Sequence, residues 1–321
     1  MTSDETYIHR CLQLAAAGLG YTSPNPLVGS VIVHEGKIIG EGYHHEYGGP
    51  HAEINAINSV NDKNLLKESV LYVNLEPCSH FGKTPPCADA IIRHGIPKVV
   101  IGSVDCNNVV NGTGIAKLRN AGVEVVVDVC KQECEDLNRR FFTFHRKRRP
   151  YIILKWAQTE DGFMDIDREY DKNMSNWITN RVLKVLTHKW RGEEDAILVG
   201  FNTMNNDRPQ LTTREYAGKN PGRFVMQRGS EILSGNDYTP LSDNVHEAVG
   251  QLFALNVQSV IVEGGRKTLD KFIDCGLWDE ARILMGDIRW GRGLEAPKMP
   301  GTPEKTINID GNRLFYVRRH V

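Results

Sequence analysis

Pro77-Cys78-Ser79-His80-Phe81-Gly82-Lys83-Thr84-Pro85-Pro86-Cys87 joins a strand-like run, Val70–Leu75, to a helix-like one, Pro85–His94. Proline early in a helix costs little, because its missing N–H would be unpaired there anyway. A cysteine therefore stands at each end of a strand-to-helix turn. Upstream, Gly48-Gly49-Pro50 breaks the chain and His51-Ala52-Glu53 opens a second helical segment, Ala52–Val60. His51, Cys78 and Cys87 supply one imidazole and two thiolates, which is three zinc ligands with a fourth tetrahedral position open to water. A closed structural zinc is the alternative, and it needs a fourth ligand such as His80. An open position lets zinc acidify a water. Glu53 lies two residues from His51, so it reaches the same cavity without ligating and can take up that water's proton.

Working outward, Tyr7–Leu19 has helical apolar spacing, and Val28–Val33 with Lys37–Tyr43 reads as a hairpin around His34-Glu35-Gly36. Val99–Val104 predicts a strand, Ile115–Ala121 a helix, Val123–Val129 a strand, and Gln132–Arg146 one amphipathic helix. Helices alternating with strands define an α/β layered sheet. Arg146-Lys147-Arg148-Arg149-Pro150 is the best boundary, giving domains at 1–146 and 150–321. Beyond it, Tyr151–Ala157, Ala196–Phe201, Val257–Glu263, Glu280–Met285 and Arg313–Arg319 read as strands, with helices at Arg181–Arg191 and Lys267–Cys275.

The length of 321 residues also suits about two domains. Lys+Arg 39 against Asp+Glu 40 leaves a net charge of −1, so no global footprint for nucleic acid or membrane exists. No run approaches the roughly 20 apolar residues of a membrane helix. The N-terminal MTSDETYIHR lacks the apolar core of a signal peptide. Seven cysteines at irregular spacing argue for a reducing compartment, and the expected location is cytoplasmic.

His-x-Glu with Pro-Cys is the grouping of zinc deaminases that act on bases. Eight residues separate the cysteines here, where deaminases acting on nucleic acid or on cytidine usually have two. With Pro24-Asn25-Pro26-Leu27-Val28-Gly29, and His44 ahead of Gly48 and His51, the chain resembles the bifunctional riboflavin-biosynthesis deaminase/reductase family over nearly its whole length. The resemblance implies a cytidine-deaminase-like three-layer α/β/α domain. It implies a phosphorylated pyrimidine substrate, diaminohydroxyphosphoribosylaminopyrimidine, held by Asn25, His44, His80 and Lys83. Asparagine offers donor and acceptor to a pyrimidine edge, and a lysine on a glycine-containing loop suits phosphate. Asp105-Cys106-Asn107-Asn108 lacks the prolines common in the family, so no site is assigned there.

By residue chemistry alone the second half says less, because Glu263-Gly264-Gly265 is as readily a tight strand–helix turn as a phosphate cradle. The family pattern is matched in order by Lys155-Trp156-Ala157, Ser175-Asn176-Trp177-Ile178-Thr179, His188 with Arg191, Leu198-Val199-Gly200, Thr203, Asp207 through Arg214, and Glu263-Gly264-Gly265. The resemblance implies a dihydrofolate-reductase-like domain that binds NADPH through Ala157, Trp177, Thr203, Asp207 and the turn from Gly265. It places substrate on Ser175, Arg191, Leu211, Arg214 and Glu263, with Lys155 nearby. It further implies a homo-oligomer. Two departures stand out: Gln227 replaces the family's usual Asp, and Arg228–Asn244 is polar and short. They predict a missing sheet element near the cofactor edge. An active deaminase with an impaired reductase is thus one alternative, and a nucleic-acid base deaminase is another.

Overall fold

The computed structural model describes residues 2–81, 85–106, 111–167, 176–227 and 238–319. The chain divides into two compact units, Met1–Arg148 and Arg149–Val321. In the first, α1 (Ser3–Ala16) begins with a capping box, in which Thr2 and Glu5 satisfy each other's backbone amides. The hairpin β1 (Gly29–His34) and β2 (Lys37–Tyr43) leads to α2 (Ala52–Ser59) and β3 (Val70–Leu75). Then follow α3 (Cys87–Arg93), β4 (Lys98–Ser103), α4 (Thr113–Asn120), β5 (Glu124–Val126), α5 (Lys131–Leu137) and α6 (Arg139–Lys147). The sheet order is β2-β1-β3-β4-β5, with β3, β4 and β5 parallel and the hairpin antiparallel. Apolar side chains on both faces bury the central strands: Ile32, Leu71, Val73 and Ile101 on one side, Val31, Tyr72 and Val100 on the other.

Helix α2 lies so close to β2 that a Cβ on Gly42 would stand 2.4 Å from the Ala56 backbone nitrogen. That contact fixes where α2 begins, and so fixes His51 and Glu53. The single helix expected over Gln132–Arg146 is instead two, divided at Asn138. The physical reason is the Asn138 amide. It is buried and pairs with both backbone groups of Leu27, accepting from Leu27 N at 2.7 Å and donating to Leu27 O at 2.9 Å. Asn74 holds the same segment, donating to Leu27 O and accepting from Gly29 N. Two buried side chains thereby tie down the turn that carries Asn25.

The second unit runs β6 (Tyr151–Gln158), β7 (Phe163–Asp165), α7 (Arg181–Glu193), β8 (Ala196–Gly200), α8 (Phe201–Asp207), β9 (Gly222–Gln227) and β10 (Thr239–Ser242). It continues with α9 (Val245–Ala254), β11 (Ser259–Val262), α10 (Arg266–Asp274), β12 (Glu280–Met285), β13 (Leu294–Glu295), β14 (Lys305–Ile309) and β15 (Asn312–Arg318). Its main sheet is ordered β10-β9-β8-β11-β6-β12-β15-β14, parallel from β10 to β12 and antiparallel beyond. Strand β11 is inserted between β8 and β6. The carboxyl ends of these three strands are therefore a topological switch point, where ligands bind in open α/β sheets.

The expected loss of a sheet element after Gln227 does not occur. Strand β10 pairs in parallel with β9, Thr239 opposite Phe224 through Ser242 opposite Gln227, and α9 follows it. The strand is short, contains Pro240 and buries only Leu241, as edge strands tolerate. It therefore leaves no apolar alternation in the sequence.

Candidate active sites

Strand β3, α2 and α3 converge on one point. His51 is the N-cap of α2, Glu53 sits in that helix's first turn, Cys78 follows the end of β3 and Cys87 opens α3. The Nδ1 atom of His51 lies 3.3 Å from the Cys87 sulfur and 3.5 Å from the Cys78 sulfur. Ligands at about 2.0–2.3 Å from a tetrahedral zinc stand roughly 3.5 Å from one another. The donor set and its spacing therefore fit zinc. The Cys87 amide donates to the Cys78 sulfur at 3.3 Å. Hydrogen bonding from the Cys87 side chain, together with His51, pulls the Cys78 thiol well below its ordinary value. The Cys87 thiol is pushed up by its bond to Cys78 and by burial. Alone, then, the pair carries one negative charge readily and resists a second, whereas a bound dication deprotonates both.

Glu53 is 3 % exposed, and burial raises its carboxyl to about 7 against the pull of His51. A group so poised near neutral pH suits proton transfer. His44 is buried, with its ring edge-on to His51 at 5.4 Å between centroids. Its Nδ1 is 3.0 Å from Pro50 O and its Nε2 is 3.1 Å from Asn25 Nδ2. A carbonyl only accepts, so Nδ1 carries the proton and Nε2 accepts from the Asn25 amide. Asn25, His44 and His51 thus form a continuous line. His80 is exposed on the turn after Cys78. Lys83 lies outside the described residues.

In the second unit, Lys155 of β6, Arg191 of α7 and Glu263 beyond β11 meet at the switch point. Arg191 donates to both Glu263 oxygens, Nε at 3.0 Å and Nη2 at 2.7 Å, and Lys155 Nζ is 3.6 Å from the same carboxylate. Burial alone would raise Glu263, but Arg191 and Lys155 together hold it at about 2. Burial lowers Lys155, with Glu263 opposing. These residues line a cavity of ≈ 340 Å³ together with Ala157, Trp177 and Arg214, within the size range of small-molecule sites.

Other expected residues lie apart from that cavity's lining. Thr203 accepts a hydrogen bond from Gly265 N at 2.9 Å, joining the turns that follow β8 and β11. Asp207 ends α8 and is exposed. The Leu211 side chain is buried with Ile197, Val199, Met204 and Val225, so its backbone is what remains for any ligand. Ser175 lies outside the described residues. Among the cavity residues to which the sequence assigns no role are His188 and Lys184. His188 is buried, its Nδ1 has no hydrogen-bond partner, and burial with Arg191 and Arg214 nearby lowers its pKa. Their signal was present in the sequence: Lys184, Thr187, His188 and Arg191 fall on one face of a helix.

A model of the cytidine and deoxycytidylate deaminase zinc-binding region matches residues 1–103, and a model of the RibD C-terminal domain matches residues 150–305. The chain is therefore a two-part enzyme, a cytidine-deaminase-like domain followed by a dihydrofolate-reductase-like one. It is 39% identical to riboflavin biosynthesis protein RibD of Aquifex aeolicus (strain VF5), over 91% of this chain and 89% of that protein. It is 35% identical to RibD of Bacillus amyloliquefaciens, over 92% and 87%. A solved structure from Thermotoga maritima, a diaminohydroxyphosphoribosylaminopyrimidine deaminase/5-amino-6-(5-phosphoribosylamino)uracil reductase, superposes with a TM-score of 0.87 at 36% identity, covering 98% of each chain. The chain belongs to the RibD family of bifunctional deaminase/reductases of riboflavin biosynthesis. No helix among the described residues is long and apolar enough to cross a membrane.

Proposed function

We propose that the first unit is a zinc-dependent deaminase of diaminohydroxyphosphoribosylaminopyrimidine and the second an NADPH-dependent reductase of the deaminated product. The observation that carries the first half is the convergence of His51, Cys78 and Cys87 beside the buried Glu53. Zinc held by those three residues supplies Lewis-acid activation of a water. The water oxygen bonds to the amine-bearing ring carbon, the carbon–nitrogen bond breaks and ammonia leaves. Glu53 would carry one proton from the water to the ring nitrogen and then a second from the newly bonded oxygen to the departing amine, leaving a carbonyl. Asn25, oriented by His44, addresses the substrate, with His80 and Lys83 on the turn between the cysteines.

In the second unit NADPH supplies a hydride to ribose C1. The bond from C1 to the ring oxygen breaks and that oxygen takes a proton, so ribosyl becomes ribityl. Arg191, already aligned by Glu263, and Arg214 suit the substrate phosphate. The family resemblance adds Ser175 and the backbone of Leu211 as further substrate contacts, and Lys155 adds a charge in the cavity. Ala157 and Trp177 line the same cavity and suit the nicotinamide end. Thr203, bonded to Gly265 N, and Asp207 at the end of α8 are assigned to the rest of the cofactor by the family resemblance. With β10 in place, the alternative of an impaired reductase no longer draws on a missing strand, and rests on Gln227 and the short stretch after it.

Chelation followed by metal return tests the zinc assignment. Ammonia release should vanish on zinc removal and recover on zinc addition, while NADPH oxidation with deaminated substrate continues throughout. Ammonia release that survives complete zinc removal refutes it.

A further inference from the structure

Glu76 directly follows β3, two residues before Cys78, and is 5% exposed. Among the described residues its carboxylate accepts four backbone amides: Gly114 at 2.9 Å and Ile115 at 3.3 Å on Oε1, Gly112 at 3.0 Å and Asp105 at 3.2 Å on Oε2. The first amides of a helix have no partner within it. Position N-cap of α4 is Gly112, which has no side chain to satisfy them. Glu76 therefore caps α4 from another strand, and with Asp105 it also grips the segment that leaves β4.

Two further contacts bind the same elements. The Ser79 and Thr113 hydroxyls are 2.6 Å apart. A Cβ on Gly114 would stand 2.0 Å from Pro77 O, so only glycine lets the start of α4 approach this closely. The turn Pro77–Ser79 is thus fastened to α4 on both sides of Cys78. Cys78 itself has no such tether to α4; its position follows from its neighbours.

We propose that Glu76 is a positioning residue of the deaminase site. It seats the Cys78 turn against α4 and thereby sets the thiolate's placement for the metal. The inference rests on the zinc reading above. Glutamine keeps the size of the side chain but turns one acceptor oxygen into a donor facing two amides. A group that orients a metal ligand typically contributes about 10- to 100-fold in metal affinity or activity.

The test uses the full-length chain with Glu76→Gln, with Glu76→Asp as a milder change should the first fail to fold. Three quantities are measured: zinc affinity by chelator competition, the thiolate-to-cobalt absorption band of the cobalt-loaded protein, and kcat/KM of each half-reaction. Glu76→Gln should weaken zinc binding and deaminase kcat/KM by about tenfold or more, and should shift the cobalt band. Reductase kcat/KM should stay within about twofold, which separates the effect from global unfolding. Glu76→Asp should fall between Gln and the parent in all three deaminase-side readouts. Unchanged zinc affinity and an unmoved cobalt band in either folded variant overturn the proposal. A parent chain that binds zinc and deaminates while the variants match it refutes this inference alone; a parent chain that binds no zinc refutes the reading beneath it.

Discussion

His51, Cys78 and Cys87 turn their lone pairs toward one point, whereas Lys155, Arg191 and Glu263 pair with one another. The first group is a set of donors that a dication completes. The second is already paired within itself, two cations on one carboxylate with a net charge of +1, and a phosphate bound there would share Arg191 with Glu263. Losing a member should therefore cost chemistry in the first unit and stability in the second. Burial acts on both groups, but it is answered differently: Glu53 is raised to about 7 while Glu263, equally enclosed, is held at about 2. What decides between them is the charge facing each carboxylate, two cations for Glu263, and for Glu53 an imidazole that pulls it down against burial and the Cys78 thiolate that push it up.

Removal of one donor is the sharpest way to break this comparison. Cys87→Ser should abolish zinc binding and ammonia release while leaving the reductase rate intact, read from metal content and both half-reactions. Glu53→Gln should keep zinc but slow deamination by about a thousandfold, measured as ammonia release at saturating substrate. Glu263→Gln leaves Arg191 and Lys155 buried without their partner, and should cost about 3 kcal/mol or more in the second unit. Denaturant unfolding followed by a probe in that unit reads it, and a cost under 1 kcal/mol would mean the trio is not a buried ion pair.

The same carboxylate predicts an acid transition. Its folded value of about 2 lies below the ordinary 4.5, so its contribution to stability is complete above the ordinary value. That contribution is lost as pH falls from there toward 2, because the unfolded chain takes up the proton first. Glu263→Gln should flatten this part of the stability–pH curve, and an unchanged slope contradicts the assignment. The smallest effect is expected of Thr203→Ala. It leaves Gly265 N without its hydroxyl acceptor, at about 1 kcal/mol, and should raise the KM for NADPH a few-fold.

The two sites differ in how far the sequence reveals them. Zinc ligands are few, chemically distinctive and fixed at turns, so His51, Cys78 and Cys87 stand out from spacing alone. Paired charges do not: Arg191 is one cation among many and Glu263 heads a glycine turn, until the fold brings them to 2.7 Å. His188 and Lys184 were accessible through helical spacing from Arg191, a periodicity that goes unread when only chain-order matches are sought. Strand β10 was illegible because an edge strand with Pro240 and one buried residue carries no alternation. Helix α9 was not illegible. Asn244 accepts from Glu247 N as its N-cap, and Val245, Ala248, Val249 and Leu252 give its apolar face. The break at Asn138 came from tertiary structure, since its amide is committed to Leu27, 111 residues away.

The central claim is that one chain performs both reactions in order. Purified protein given diaminohydroxyphosphoribosylaminopyrimidine and NADPH should oxidise one NADPH for each ammonia released, after a lag in which deaminated product accumulates. Ammonia released without NADPH oxidation, under conditions where the cofactor is saturating, would contradict it.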